Sequence, residues 1–204
     1  MALDWEKYLN CVKHFLSVSD SIDDGWFGVE TLDCKKLPEN YYLYKKSASE
    51  VPTMTLTNTF MFEEEHMLES QLDILSLRDQ SQYTSEQIIW EYNILYSPSY
   101  SVPVLYFNVR NTSGKLLSLD KVWTLLNIPE EMLSERWNFV SQQEHPILLK
   151  PFFYVHPCRS SEFMKISEQS TVNPLVTWLS SIAPIVHLYI PIDYGKQSFE
   201  KCLH

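Results

Sequence analysis

Between Ile88 and Tyr96 the chain alternates strictly, placing Ile88, Trp90, Tyr92, Ile94 and Tyr96 at every second position. Successive side chains of an extended strand point to opposite faces, so this spacing predicts one long strand whose apolar, aromatic face has to be buried. Ser97-Pro98-Ser99-Tyr100-Ser101 then turns the chain, and Val102-Pro103-Val104-Leu105-Tyr106-Phe107-Asn108-Val109 forms a second strand, ended by the turn residues Asn111-Thr112-Ser113-Gly114. This is the core hairpin of the domain, and everything else has to pack on it.

The flanking segments supply partners. Trp5, Tyr8, Leu9, Val12, Phe15 and Leu16 recur at helical spacing over residues 3–19, giving one apolar stripe. After Asp23-Asp24-Gly25, the stretches Trp26–Glu30 and Tyr41–Lys46 read as an antiparallel strand pair bounded by Gly25 and Pro38-Glu39-Asn40. Ser118 caps a short helix carrying Val122, Trp123, Leu125 and Leu126, closed by Asn127 and Pro129. Trp137 and the run Gln142–Leu149 lead to an apolar strand at Pro151–Val155. Asn173-Pro174 is an N-cap followed by proline in the first helical turn, with Leu175, Trp178, Leu179 and Ile182 as the buried stripe and Pro184 at its end. The sum is an α+β fold: a helix, a mostly antiparallel meander of about four strands, and helices packed on one face.

At 204 residues with 45% hydrophobic content, the chain is long enough for a single well-buried domain, 1–204. Residues 47–86 read as an acidic, partly flexible insertion, because Glu63, Glu64, Glu65, Glu69, Asp73, Asp79 and Glu86 face only Arg78 across 60–86. A formal charge of −10 without a basic patch argues against nucleic-acid binding, which depends on phosphate contacts. The N-terminus is acidic where a signal peptide is basic, and no apolar run approaches the ~20 residues of a membrane span, so a soluble, cytoplasmic protein is expected. Cys11, Cys34, Cys158 and Cys202 are widely spaced, which suggests neither a zinc frame nor a disulfide scaffold.

Chemistry points to Pro151-Phe152-Phe153-Tyr154-Val155-His156-Pro157-Cys158-Arg159. Pro157 has no N–H and a fixed φ, so the sheet holds the chain to Val155 and the ladder stops before the thiol. Alone, Cys158 would equally read as a buried free cysteine. A nucleophilic thiol needs local help, and His156 and Arg159 are near enough to supply it. A cysteine protease fits poorly, because protease cysteines sit in glycine-containing segments and none is present here. A metal site from His145, His156, Cys158 and His187 departs from the usual ligand spacings. A thioester carrier requires only an exposed thiol and a nearby hydrogen-bond donor.

The hairpin Tyr96–Phe107, with its two prolines, resembles the Tyr-Pro…Pro strand pair of ubiquitin-conjugating enzymes, and His156-Pro157-Cys158 resembles the active-site signature of their autophagy branch. Gln142-Gln143-Glu144-His145-Pro146, Pro151-Phe152-Phe153, Glu162-Phe163-Met164 and Trp178-Leu179-Ser180 strengthen that likeness. The resemblance implies a ubiquitin-conjugating-enzyme-like fold and a cytoplasmic transferase promoting autophagosome formation. Such an enzyme accepts the ubiquitin-like modifier autophagy-related protein twelve as a cysteine thioester from the activating enzyme, autophagy-related protein seven. It passes the modifier to a lysine of autophagy-related protein five. Ubiquitin-like proteins of the autophagy-related protein eight family are further implied partners. No cofactor or metal is implied, since the activating enzyme consumes the ATP. Carried over by position, Cys158 is the thioester-forming cysteine, and His156 and Tyr100 are catalytic groups near the reacting carbonyl. On residue pattern alone, Tyr100 also reads as a rim aromatic and His156 as a turn cap.

Ubiquitin-conjugating enzymes generally carry His-Pro-Asn before the cysteine, whereas the nearest segment here, His145-Pro146-Ile147, lacks the amide. The oxyanion donor is therefore open. A non-catalytic RWD-like binding module, sharing the sheet and hairpin, is the alternative and requires an unreactive Cys158. For partner docking by strand addition, Tyr41–Lys46 and Ile88–Tyr96 are the candidate sheet edges.

Overall fold

The structure is a computed structural model that describes residues 3–31, 37–54, 83–128, 134, 136–157, 160 and 172–196. Helix α1 (Trp5–Ile22) is followed by strands β1 (Phe27–Glu30), β2 (Tyr41–Met54), β3 (Tyr83–Ser97) and β4 (Val102–Asn111). Then come α2 (Leu119–Leu125), the single turn α3 (Arg136–Phe139), β5 (Val140–Glu144), β6 (Pro151–Val155), α4 (Pro174–Ile182), a 3₁₀ turn at Ala183–Val186, and α5 (Asp193–Lys196). The strands form one sheet in the order β1-β2-β3-β4-β6-β5, with every pairing antiparallel.

The expected hairpin is the centre of this sheet. β3 and β4 pair from Ile88↔Asn111 to Ser97↔Val102, and Ile88, Trp90, Tyr92, Ile94 and Tyr96 are all buried in the main core. On that face lie α1, through Tyr8, Cys11, Val12, Phe15 and Val18, and α4, through Leu175, Trp178, Leu179 and Ile182. Both helices begin as their caps dictate. The Asp4 carboxylate accepts from the Lys7 N–H (2.8 Å), and the Asn173 side chain accepts from the Leu175 N–H (2.9 Å). Asn173 also donates to the Cys11 carbonyl (2.7 Å), tying the start of α4 to α1. Where α1 ends, Asp23 takes φ 54° and Gly25 φ 80°, the second being a conformation glycine adopts without penalty.

Among the described residues six strands replace the four or so expected. β5 was invisible to periodicity because only Val140 of Val-Ser-Gln-Gln-Glu is buried; an edge strand is held by backbone bonds, here to β6 from Val140↔Val155 to Glu144↔Pro151. The edge assignment also changes in part. β1 and β5 are the outer strands and Ile88–Tyr96 is flanked by β2 and β4, while of Tyr41–Lys46 the residues Tyr41–Tyr44 pair with β1, and Lys45 and Lys46 lie past the end of that pairing and pair with β3. Within the segment 47–86, Ser47–Met54 belongs to β2 and Tyr83–Glu86 to β3, pairing from Ser47↔Trp90 to Met54↔Tyr83, and the acidic run before Tyr83 lies outside the described residues.

The opposite face of the sheet carries a smaller cluster of Tyr42, Leu95, Val104, Tyr106, Phe152 and Tyr154, against which Ile147 and Leu148 pack. The turn after β5 supplies that cover. His145 N–H donates to the Lys150 carbonyl (2.8 Å), and Leu149 N–H to the His145 carbonyl (2.9 Å).

Between α1 and β1 sits a desolvated ion pair. Lys45 Nζ lies 2.6 Å from Asp24 Oδ1, with each side chain 10% exposed, and Tyr194 of α5 donates to Asp24 Oδ2 at 2.8 Å. Lys45→Met is expected to lower unfolding free energy by about 3 kcal/mol, since it leaves a buried carboxylate without its cation. Lys121→Ala, which breaks a pair with Glu86 whose side chains are 47% and 34% exposed, should cost less than about 1 kcal/mol. Urea denaturation of both variants checks the contrast; equal losses would contradict it.

Candidate functional site

β6 delivers the His156-Pro157-Cys158 segment. Its ladder to β4 runs through Tyr106↔Tyr154 and Phe107↔Phe153, and the strand stops at Val155, as the following proline requires. His156 then turns its N–H to the Phe139 carbonyl (3.0 Å), so the α3 turn holds the end of β6. Pro157 is buried, and so is Ser160. Cys158 and Arg159 lie outside the described residues.

The second wall comes from the β3–β4 turn. Tyr96 Oη donates to the Leu3 carbonyl (2.7 Å), and Leu3 N–H to the Ser101 carbonyl (3.2 Å), so the chain's N-terminal end fastens the turn that bears Tyr100. Tyr100 is 51% exposed, and its ring meets His156 edge-to-face, centroids 6.4 Å apart at 70°. Tyr154 also meets the imidazole edge-to-face, 6.1 Å away at 78°, and itself packs 4.8 Å from Tyr106. Of the three site residues expected from sequence, His156 and Tyr100 are thus brought together at one end of the sheet, from the C-terminal end of β6 and the turn of the central hairpin. An imidazole N–H and a phenolic O–H sharing one rim can both donate to an oxyanion, the arrangement needed where a carbonyl is attacked.

Tyr154 and the Phe139 carbonyl were not singled out from sequence. Period-two spacing does place Phe152, Tyr154 and His156 on one face, which is the signal for Tyr154; a backbone acceptor leaves no such trace. Cys11 is a poor nucleophile, because burial pushes its thiol up to about 12 and keeps it protonated at neutral pH.

Two of the histidines considered as metal ligands, His145 and His187, are separated by the sheet. His145 is fully buried on the face opposite the helices, ringed by Tyr42, Tyr106 and Phe152 at 4.9–5.4 Å, whereas His187 packs 5.4 Å from Trp90 on the helix-covered side and hydrogen-bonds the Leu125 carbonyl. Among the described residues no cluster of three or more His, Cys, Asp or Glu side chains could hold a metal. His145 instead organises its own turn. Its Nδ1 accepts from the Ile147 and Leu148 N–H groups at 3.2 and 3.1 Å, which fixes the neutral tautomer protonated at Nε2.

The family described as autophagocytosis associated protein, active-site domain, matches residues 7–193 of the chain. The ubiquitin-like-conjugating enzyme ATG10 of Homo sapiens is 43% identical over 120 residues, covering 55% of this chain and 54% of that protein. The enzymes of the same name from Arabidopsis thaliana (34% over 122 residues; 53% of each chain) and Dictyostelium discoideum (33% over 130 residues; 54% of this chain, 56% of that one) are also similar. The chain spans about half the length of the curated relatives it matches. The antiparallel sheet backed by helices agrees with a ubiquitin-conjugating-enzyme-like fold.

Burial lowers the His145 pKa to about 4, against about 6.5 when unfolded. The fold therefore favours the neutral ring: its contribution to stability is complete above about pH 6.5 and is lost progressively as pH falls toward about 4. Unfolding midpoints measured across this range should decline less steeply in His145→Asn than in the wild type; parallel profiles would show that His145 does not titrate with unfolding.

Proposed function

Because the chain belongs to the autophagocytosis associated protein family, matched through its active-site domain, we propose that it is a ubiquitin-like-conjugating enzyme acting in autophagy, with Cys158 as the acceptor of the modifier. The modifier is autophagy-related protein twelve, delivered by autophagy-related protein seven and transferred to a lysine of autophagy-related protein five. Residues 1–204 act as one domain, and the reaction takes place in the cytoplasm; among the described residues no helix is long and apolar enough to cross a membrane.

In the first step the Cys158 thiolate attacks the thioester carbonyl of the loaded activating enzyme, and that enzyme's thiolate leaves. In the second, the lysine amine of the target attacks the Cys158 thioester. The tetrahedral intermediate collapses to the isopeptide, expels the Cys158 thiolate and gives up the amine's proton to solvent or a nearby base. Tyr100 and His156 donate to the carbonyl oxygen as it becomes an oxyanion.

The observation that carries this reading is the edge-to-face approach of Tyr100 to His156, two residues before Cys158. With activating enzyme, modifier and ATP, Cys158→Ser should trap an oxyester that survives thiol reductant, while the wild-type adduct is reductant-labile. Tyr100→Phe and His156→Ala should each slow transfer by roughly a hundred- to a thousandfold, the range for loss of one oxyanion donor. An unreactive Cys158, with the modifier taken up on Cys34 or Cys202, contradicts the assignment.

A further inference from the structure

Trp178 of α4 donates its indole N–H to Ser160 Oγ at 2.9 Å, and both side chains are buried. We propose that this bond is a positioning contact for the transfer reaction, setting the downstream end of the segment that carries Cys158; the inference rests on the carrier reading above.

Upstream, that segment is fixed by the β6 ladder, by the His156 N–H to the Phe139 carbonyl, and by the burial of Pro157. Downstream, the first described residue is Ser160, and only Cys158 and Arg159 lie between. Anchoring Ser160 therefore holds a point two residues after Cys158 in sequence, as the end of β6 and Pro157 hold one directly before it. The anchor is itself rigid, since Asn173 ties the start of α4 to the Cys11 carbonyl and Leu175, Leu179 and Ile182 bury the rest of the helix. Core burial alone does not force the contact: Trp26 Nε1 is buried with no hydrogen-bond partner. A sulfur that must meet a carbonyl held at the Tyr100–His156 rim gains from such restriction, because misplacement by about 1 Å is enough to cost two orders of magnitude in rate.

Single-turnover discharge of the preformed Cys158 thioester onto the target tests this in the full chain, with each variant's folding checked by its thermal unfolding midpoint. Ser160→Ala and Trp178→Phe should each lower the maximal discharge rate about tenfold, with half-saturating target concentration changed less than about twofold. The double variant should be no slower than the slower single, since the pair acts as a unit. Ser160→Thr, which keeps the hydroxyl, should restore the rate to within about threefold of wild type. Either single variant alone decides the matter if the other does not fold. Folded single variants that discharge at the wild-type rate, losses that multiply in the double, or a Thr variant no better than Ala would overturn the proposal. A wild-type chain that never forms a Cys158 thioester overturns the carrier reading itself, an outcome distinct from variants that fail beside an active wild type.

Discussion

The register of the β3–β4 hairpin is the constraint on which the rest of the structure depends. A slip of one residue would turn Trp90, Tyr92 and Ile94 away from the helices and put Glu91, Asn93 and Leu95 in their place. It would also release two hydrogen bonds that reach distant parts of the chain, from Tyr96 Oη to the Leu3 carbonyl and from Tyr92 Oη to the Val186 carbonyl. The same register decides where the turn bearing Tyr100 sits, and it sets β4 against β6 so that the strand emerges with His156 beneath that turn. Site geometry follows from core packing here, with the Leu3 contacts at the turn and the Phe139 carbonyl at the end of β6 fastening the two groups in place.

The faces of the sheet divide the labour. One is sealed by α1 and α4, whose caps and buried stripes make them fixed supports. The other carries tyrosines and the turn organised by His145, and along it a run of rings passes from Tyr106 through Tyr154 and His156 to Tyr100. His145-Pro146-Ile147 therefore works as a structural turn: the His145 Nδ1 holds the Ile147 and Leu148 N–H groups, and burial keeps the ring neutral.

Much of this was readable from residue pattern. The apolar stripes of α1 and α4, the Asn173 cap, the long hairpin and the strand ending before Pro157 follow from periodicity and from proline chemistry, because each depends on side chains that announce themselves by spacing. β5 and the extension of β2 past Lys46 do not, since Ser141-Gln142-Gln143-Glu144 and Ser47-Ala48-Ser49-Glu50 carry no apolar alternation and join the sheet through backbone pairing, with Ser49 also accepting from the Trp90 indole N–H. The meeting of Tyr100 with His156 came from family likeness, as no local spacing connects a hairpin turn to the end of a strand so far along the chain. Trp178 at helical spacing reads only as core, and its bond to Ser160 needs three dimensions to be seen.

The most direct test is to locate the adduct. The chain is incubated with activating enzyme, modifier and ATP, digested without reductant, and sequenced by tandem mass spectrometry. The account predicts the modifier's C-terminal fragment on the peptide containing Cys158, removed by brief thiol treatment. A fragment on Cys11, Cys34 or Cys202, or one that resists thiol because it is linked to a lysine of this chain, would contradict it.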